Sequence, residues 1–332
     1  MKVYNKIPDT FDLLPGLKKV LKEIRKNKKF NVNDYIDKKC KILNEYMNLF
    51  ELNAAVVAVS GGIDSSVTLA IVKKASEYEN SPIKKIVPLL LPCYNDGATH
   101  QFVATHQAEI LCNSLELEPF IFDLTLINQE YQKMEQLLDI KSDAWGHGQL
   151  VDYSRKPAEN YVTTLLNVAG YRPITVGTIT RTEYGYIGYF GKFGDSLSDV
   201  QLISDLMKSE VYKVANVLNI PETIIKAIPS GDMFDGRSDE SVFGTSFDFI
   251  EIYYYYLNLT NEEQEKMLKK LNKKELEQFN FCAENLETLH AYNLHKYMVK
   301  SPSVHLDLWP SGVKNGFDNY YYQTQKILNK RY

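Results

Sequence analysis

The stretch AAVVAVSGGIDSSVTLAIV, residues 54–72, constrains this chain more than any other. Its first half is short, continuous and rich in Val, which predicts a fully buried strand. The second half sets Val67, Ala70 and Ile71 at helical spacing behind Asp64 and Ser65, polar and acidic groups of the kind a first turn favours. Between the halves, Gly61 and Gly62 permit a tight turn and let the backbone approach a ligand closely. A strand, a glycine turn and a helix N-terminus gather free N–H groups and the positive dipole end at one spot. Phosphate suits such a place.

Further apolar runs extend the pattern. IKKIVPLLLP (Ile83 to Pro92) predicts a second strand, followed by a helix from about Gly97 to Leu115. PFIFDL (Pro119 to Leu124) predicts a third strand, and a helix around Asn160 to Ala169 precedes a fourth, RPITVGT (Arg172 to Thr178). Alternating strands and helices predict an α/β fold: a doubly wound, Rossmann-like parallel sheet with helices on both faces. Ligands of such sheets bind at the carboxyl ends of the strands, where Ser60, Pro92, Asp123 and Thr178 fall. Helical additions are expected at the N-terminus and after residue 245. No repeat or low-complexity linker divides the chain, so a single domain is expected, with a helical arm over 1–52, a nucleotide-binding core over 53–244 and a helical extension over 245–332.

Composition removes several function classes. The 38 Lys+Arg against 42 Asp+Glu give a formal net charge of −4, so no global basic field favours nucleic acid. The basic run from Lys18 to Lys29 repeats Leu21 and Ile24 at helical spacing and predicts a solvated helix face. Cys40, Cys93, Cys112 and Cys282 show no CxxC spacing, which argues against a zinc site or disulfide framework and fits a reducing, cytoplasmic setting. No signal peptide and no eighteen-residue apolar span is read, so no membrane is expected. Tyr253 to Tyr256, on a helical pattern, predict packing or a subunit contact.

The common phosphate loop requires Gly-Lys-Ser/Thr, and no lysine follows Gly62; the dinucleotide fingerprint lacks its third glycine. Ser60-Gly61-Gly62-Ile63-Asp64-Ser65-Ser66 instead resembles the SGGxDS loop of the ATP pyrophosphatases, which cleave ATP between the α and β phosphates and transfer AMP. The residues from Gly177 onward resemble, in the order of their parts, the ammonia-dependent NAD synthetases of that superfamily. Gly177-Thr178 is followed by Glu183, then by KFGD at Lys192 to Asp195, with Asp199 beyond. Asp205-Leu206 and Lys208 open a helix to Leu218, Pro229-Ser230 and GRSDESVFG come next, and His295-Lys296 stands before Pro302. The resemblance spans about residues 35 to 305.

It implies ATP-dependent amidation of deamido-NAD by ammonia through an adenylated intermediate, giving NAD, AMP and pyrophosphate. A nicotinate carboxylate resists ammonia until adenylation supplies a leaving group, and attack at phosphorus builds charge that a metal and fixed donors stabilise. By resemblance, Asp64 and Glu183 hold Mg2+ and share catalysis with Lys208, while the loop Ser60 to Ser66, Thr178, Lys208 and Ser230 bind ATP as co-substrate. Asn160, Lys192, Asp199, His295 and Lys296 fall on deamido-NAD positions, and the resemblance further implies a homodimer.

Three features depart from the family pattern. The helix that reads roughly Glu-Asn, two residues, Ala-Arg gives Glu159-Asn160-Tyr161-Val162-Thr163-Thr164 here, so a basic contact is absent or comes from Arg155 or Arg181. Arg-Leu-Pro after the second strand becomes Leu90-Leu91-Pro92, and the stretch from Glu183 to Lys192 is one residue longer. The alternatives are another adenylating ATP pyrophosphatase, an amidotransferase or tRNA-modifying enzyme, or a non-catalytic nucleotide-binding relative. Only about 52 residues precede the first strand, and their one cysteine, Cys40, sits on an apolar helical pattern, so free ammonia rather than glutamine is the expected nitrogen source.

Overall fold

The computed structural model describes residues 6–94, 99–231, 236–297 and 303–309. Strands β1 (Ala54–Ala58), β2 (Lys85–Leu90), β3 (Phe120–Ile121), β4 (Pro173–Gly177), β5 (Val200–Gln201) and β6 (Val304–His305) form one sheet in the order β3-β2-β1-β4-β5-β6. Every pairing is parallel, with Ala54 level with both Lys85 and Pro173. The winding reverses between β1 and β4, so the crevice beyond their carboxyl ends is the switch point at which doubly wound sheets bind ligands. Ser60 and Thr178 stand there.

The strand alternation supplies two cores. Ala55 and Val57 of β1 face a cluster with Ile36, Leu43, Val67, Ile71 and Val211, carried by α2 (Val32–Leu49), α3 (Ile63–Ser76) and α9 (Lys208–Val217). Val56 faces the other side, with Val87, Leu89, Ala158 and Val162 under α7 (Ala144–Val168). Around these lie α1 (Pro15–Lys28), α4 (Thr99–Ser114), α5 (Thr125–Gln132), α6 (Met134–Leu138), α8 (Arg181–Tyr184) and α10 (Glu222–Ile225). The chain continues through α11 (Asp239–Phe243), α12 (Phe247–Asn258), α13 (Asn261–Leu268) and α14 (Lys273–Asn293). A separate apolar cluster joins α1, α12 and α14 through Leu17, Phe249, Tyr253 and Phe279.

One helix differs from the sequence reading, and the tyrosine run takes one of the two forms expected of it. The helix expected from Asn160 begins at Ala144, capped by Asp143, whose carboxylate accepts from the Gly146 N–H at 2.9 Å. Gly146, Gly148 and Pro157 argue against helix locally; burial of Val151, Ala158 and Val162 overrides them. Tyr253 and Tyr254 are buried inside the chain, where Tyr253 donates to Glu287 and Tyr254 to the Thr182 carbonyl. They pack their own core and leave only Tyr255 of that pair's neighbours distinctly exposed.

A buried polar knot fixes the approach to α9. Lys39, on α2, lies 3.0 Å from Asp205 and donates to the Leu306 carbonyl at 2.6 Å. Tyr35 donates to Asp205 at 2.8 Å, and Ser204 donates to Asp307 at 2.6 Å. This clamps the turn between β5 and α9 from both sides, and its last tie lies just before Lys208.

Candidate active site

The turn from β1 into α3 takes the form its glycines predict. Gly61 has φ +80°, and a Cβ there would stand 2.1 Å from the Ala104 carbonyl oxygen of α4. Gly62 is the N-cap, and its carbonyl accepts from Ser66 N at 3.1 Å, Ser65 Oγ at 3.1 Å and Ser66 Oγ at 2.7 Å. Ser65 Oγ also receives the Ser60 N–H at 3.2 Å, while Ser60 Oγ receives the Gly62 N–H at 3.2 Å. The serines therefore shape the loop with their hydroxyls, and the first turn of α3 keeps its N–H groups for an anion.

Opposite the loop, Glu183 divides its carboxylate. Oε2 accepts from Thr180 N at 3.0 Å and Thr180 Oγ1 at 2.9 Å, closing a capping box on α8. Oε1 lies 3.5 Å from Lys208 Nζ, which also donates to Asp64 Oδ2 at 2.6 Å. Lys208 is the first residue of α9, only 2 % exposed, held by its N–H on Thr182 Oγ1 at 2.9 Å and roofed by the Phe247 ring at 5.0 Å. Burial alone would lower its pKa, but Asp64, Glu183 and Asp239 outweigh that and keep it charged. Burial pushes Asp64 up to about 6; Lys208 draws it down and Glu183 adds to the rise. Asp64 Oδ1 is buried without a hydrogen-bond partner. That oxygen and Glu183 Oε1 are the donors that could hold a divalent cation together with ligand phosphates.

Asp64, Glu183 and Asp239 border a cavity of about 560 Å³ that also takes in Leu91, Pro92, Gln101, Thr178 and Ser230, while Lys208 lies behind the two carboxylates it touches and does not itself line it. Its other side is the inner face of α7, with Gln149, Asp152, Lys156 and Glu159 at helical spacing, and Arg155 beside them. Lys156 donates to Glu159 at 2.5 Å and Ser198 Oγ at 3.1 Å. Asp195 keeps an exposed face, yet the dense wall about it and the neighbouring Asp152 hold its carboxyl above the ordinary range. Lys296 donates to the carbonyls of Gly188 at 2.9 Å and Phe190 at 2.6 Å, and burial lowers it to about 8 against the pull of Asp195 and Asp152.

The sequence model for NAD synthase matches residues 35–297. The chain belongs to the NAD synthase family. An NH(3)-dependent NAD(+) synthetase of Syntrophomonas wolfei is 29% identical over 202 residues, 60% of this chain and 74% of that one. In structure the chain is similar to an NMN synthetase from Francisella tularensis, with TM-score 0.64 and 22% identity over 80% of this chain and 96% of the other. An NH3-dependent NAD synthetase from Campylobacter jejuni gives TM-score 0.59 and 21% identity, with the same two coverages. At such identities the two structures show the shared fold.

Within this NAD synthase fold, the residues expected at the ATP end lie together. Ser60 to Ser65, Thr178, Glu183 and Ser230 border the cavity, and Ser66 supports the loop from beneath. Those expected at the acceptor end divide. Lys296 borders the cavity; Asn160, Lys192, Asp199 and His295 do not. Asn160, Asp199 and His295 are exposed, and Asp199 accepts from Thr175 N at 2.7 Å and Thr175 Oγ1 at 2.9 Å, tying β4 to β5. Of the two arginines offered for the missing one, Arg155 borders the cavity and Arg181 does not. Thr164 is exposed and donates to Asn160 O at 3.0 Å. Sequence reasoning gave no role to Asp239, 5 % exposed and pushed up to about 7 by burial despite Lys208, or to Asp152, Lys156 and Glu159. The three- and four-residue steps along α7 were the available signal, hidden because Gly and Pro mask the early start of that helix.

Proposed function

We propose that this cavity carries out ATP-dependent amidation of deamido-NAD by ammonia through an adenylated intermediate, releasing NAD, AMP and pyrophosphate. The observation that supports it most is the Lys208 ammonium, buried between Asp64 and Glu183 and set opposite a glycine loop at the sheet's switch point. The α3 N-terminus receives phosphate oxygens, and Lys208 supplies a cation where charge grows as pyrophosphate leaves. Asp64 and Glu183 would hold magnesium, which when bound neutralises phosphate charge. Lys208 would then turn from the carboxylates to the phosphates. The walls of α7 and the Gly188–Phe190 turn place the nicotinate carboxylate against the α-phosphorus and hold the activated carbonyl for ammonia. Supplying deamido-NAD, ATP, ammonium and magnesium tests the reading: AMP and pyrophosphate should appear in equal amounts with NAD, and ADP as product would overturn it.

A second acceptor is favoured by one observation. Four residues expected on the dinucleotide lie outside the cavity, and the fold is also that of an NMN synthetase. A mononucleotide acceptor would leave those four without a partner. Running both acceptors in one assay separates the readings by kcat/KM.

We further propose a homodimer. Leu126, Leu137, Leu138 and Ile140 on and beside α5 and α6 are exposed, Leu137 by 82 %. Apolar side chains of that size in one region support a subunit contact. No helix among the described residues is long and apolar enough to cross a membrane. The four cysteines are free and buried, which supports work in a reducing, cytoplasmic compartment.

A further inference from the structure

Tyr189 stands between the two halves of the site. Its N–H donates to the Glu183 carbonyl at 3.1 Å, so the turn that positions the metal-binding carboxylate also positions the ring. The ring meets Phe243 edge-on, centroids 4.9 Å apart and planes at 89°, which locks its tilt. The hydroxyl points at the loop that carries Ser230: a Cβ on Gly231 would lie 2.4 Å from Tyr189 Oη. Tyr189 borders the cavity, yet its Oη is buried and has no hydrogen-bond partner among the described residues.

A buried phenol oxygen without a partner carries a desolvation cost that packing does not return. Phenylalanine would fill the same space without it. Burial, with Asp239 and Glu183 nearby, raises the pKa of Tyr189 well above the ordinary value, so the group is a neutral O–H donor. The wall around it already holds the carboxylates of Asp64, Glu183 and Asp239. A neutral donor can bind an anionic guest there without being captured by those carboxylates as an ammonium would be.

We propose that Tyr189 is a substrate-touching residue whose O–H donates to an anionic oxygen of the reacting pair, the α-phosphate or the carboxyl group it activates. This rests on the amidation reading and adds to it a donor that belongs to this chain's own side chain. Lys208 meets the phosphate end with charge, and Tyr189 meets the junction with a directed hydrogen bond.

The test uses the full chain and Tyr189→Phe, which deletes one oxygen. With ATP, deamido-NAD, ammonium and magnesium, kcat should fall by about 10- to 100-fold, as when a transition-state donor is lost. The melting temperature should hold or rise, because an unsatisfied hydroxyl has gone. Undiminished kcat, or a melting temperature that falls along with activity, would overturn the proposal. Gly231→Ala displaces the same hydroxyl from the opposite side and should cost activity alone, but little more when added to Tyr189→Phe. Fully additive losses would overturn the shared hydroxyl. A wild-type chain that released no pyrophosphate would sink the amidation reading instead. The hydroxyl would then be judged by the rise in melting temperature on adding ATP, smaller in Tyr189→Phe if the donor is real and equal in both if it is not.

Discussion

Asp64 and Glu183 share one lysine, yet replacing them should have different side effects. Glu183→Gln keeps an amide oxygen that can still accept from Thr180, so the α8 cap and the melting temperature should survive while turnover falls by at least ~10²-fold. Asp64→Asn should lose activity to a similar degree with a raised magnesium requirement. Near-normal turnover in Glu183→Gln, with the fold intact, would remove it from the site. The pH dependence follows from the same geometry. Because burial lifts Asp64 to about 6, its carboxylate loses charge as pH falls through that value, and metal binding requires the charged form. Turnover at fixed magnesium should therefore drop below about pH 6, and added magnesium should move the drop to lower pH. A profile unmoved by magnesium would mean that another group titrates.

At the scale of elements, what could be read from residues alone was the part with a strong local pattern. The β1–α3 unit is specified by Val-rich continuity and two glycines, and β2 and β4 by apolar runs with turn residues at their ends. The two-residue strands β5 and β6 have no period to detect, and α7 contains Gly and Pro that only its buried face explains. The loop side of the cavity, expected to take ATP, was legible as a cluster because it lies within contiguous motifs. The α7 wall, Asp239 and Tyr189 were not, because their roles arise from packing across distant segments. The knot that fixes α9 is of this second kind. Burial and the neighbouring Asp205 push Asp307 up to about 7, against Lys39. An acid raised in the folded state binds its proton more tightly there than in the unfolded chain, so its contribution is full below pH ~4 and is lost as pH rises through about 7. Asp307→Asn keeps an acceptor for Ser204 and removes that loss. It should raise the melting temperature by a few degrees at pH 8 and by less at pH 5. An equal change at both values would show that charge is not the cause.

At the scale of the whole molecule, assembly and nitrogen supply are each open to a direct test. Light scattering should report a dimer, and Leu137→Glu, a charge placed on the exposed α6 face, should shift it toward monomer. A wild-type chain that is monomeric and fully active would dispose of the dimer. Ammonia reacts through its neutral form, so at fixed total ammonium the rate should climb with pH until another group limits it. Glutamine should not replace it in this chain acting alone. Cys40, buried with Sγ 3.7 Å from the Ile71 carbonyl and pushed by burial up to about 12, is a poor nucleophile; Cys40→Ser should leave turnover unchanged. NAD formed from glutamine in ammonia-free buffer, and lost in Cys40→Ser, would contradict this assignment. The absent side chain at Gly61 has a further consequence. The Ala104 carbonyl occupies the volume a Cβ would need, so the missing methyl sets the standoff between the anion loop and α4. That helix carries His100 and Gln101 along the same cavity, and its distance from the loop is the width of the slot beside Leu91 and Pro92. Gly61 thus acts as a spacer gauge, and enlarging it would push α4 outward and widen that slot.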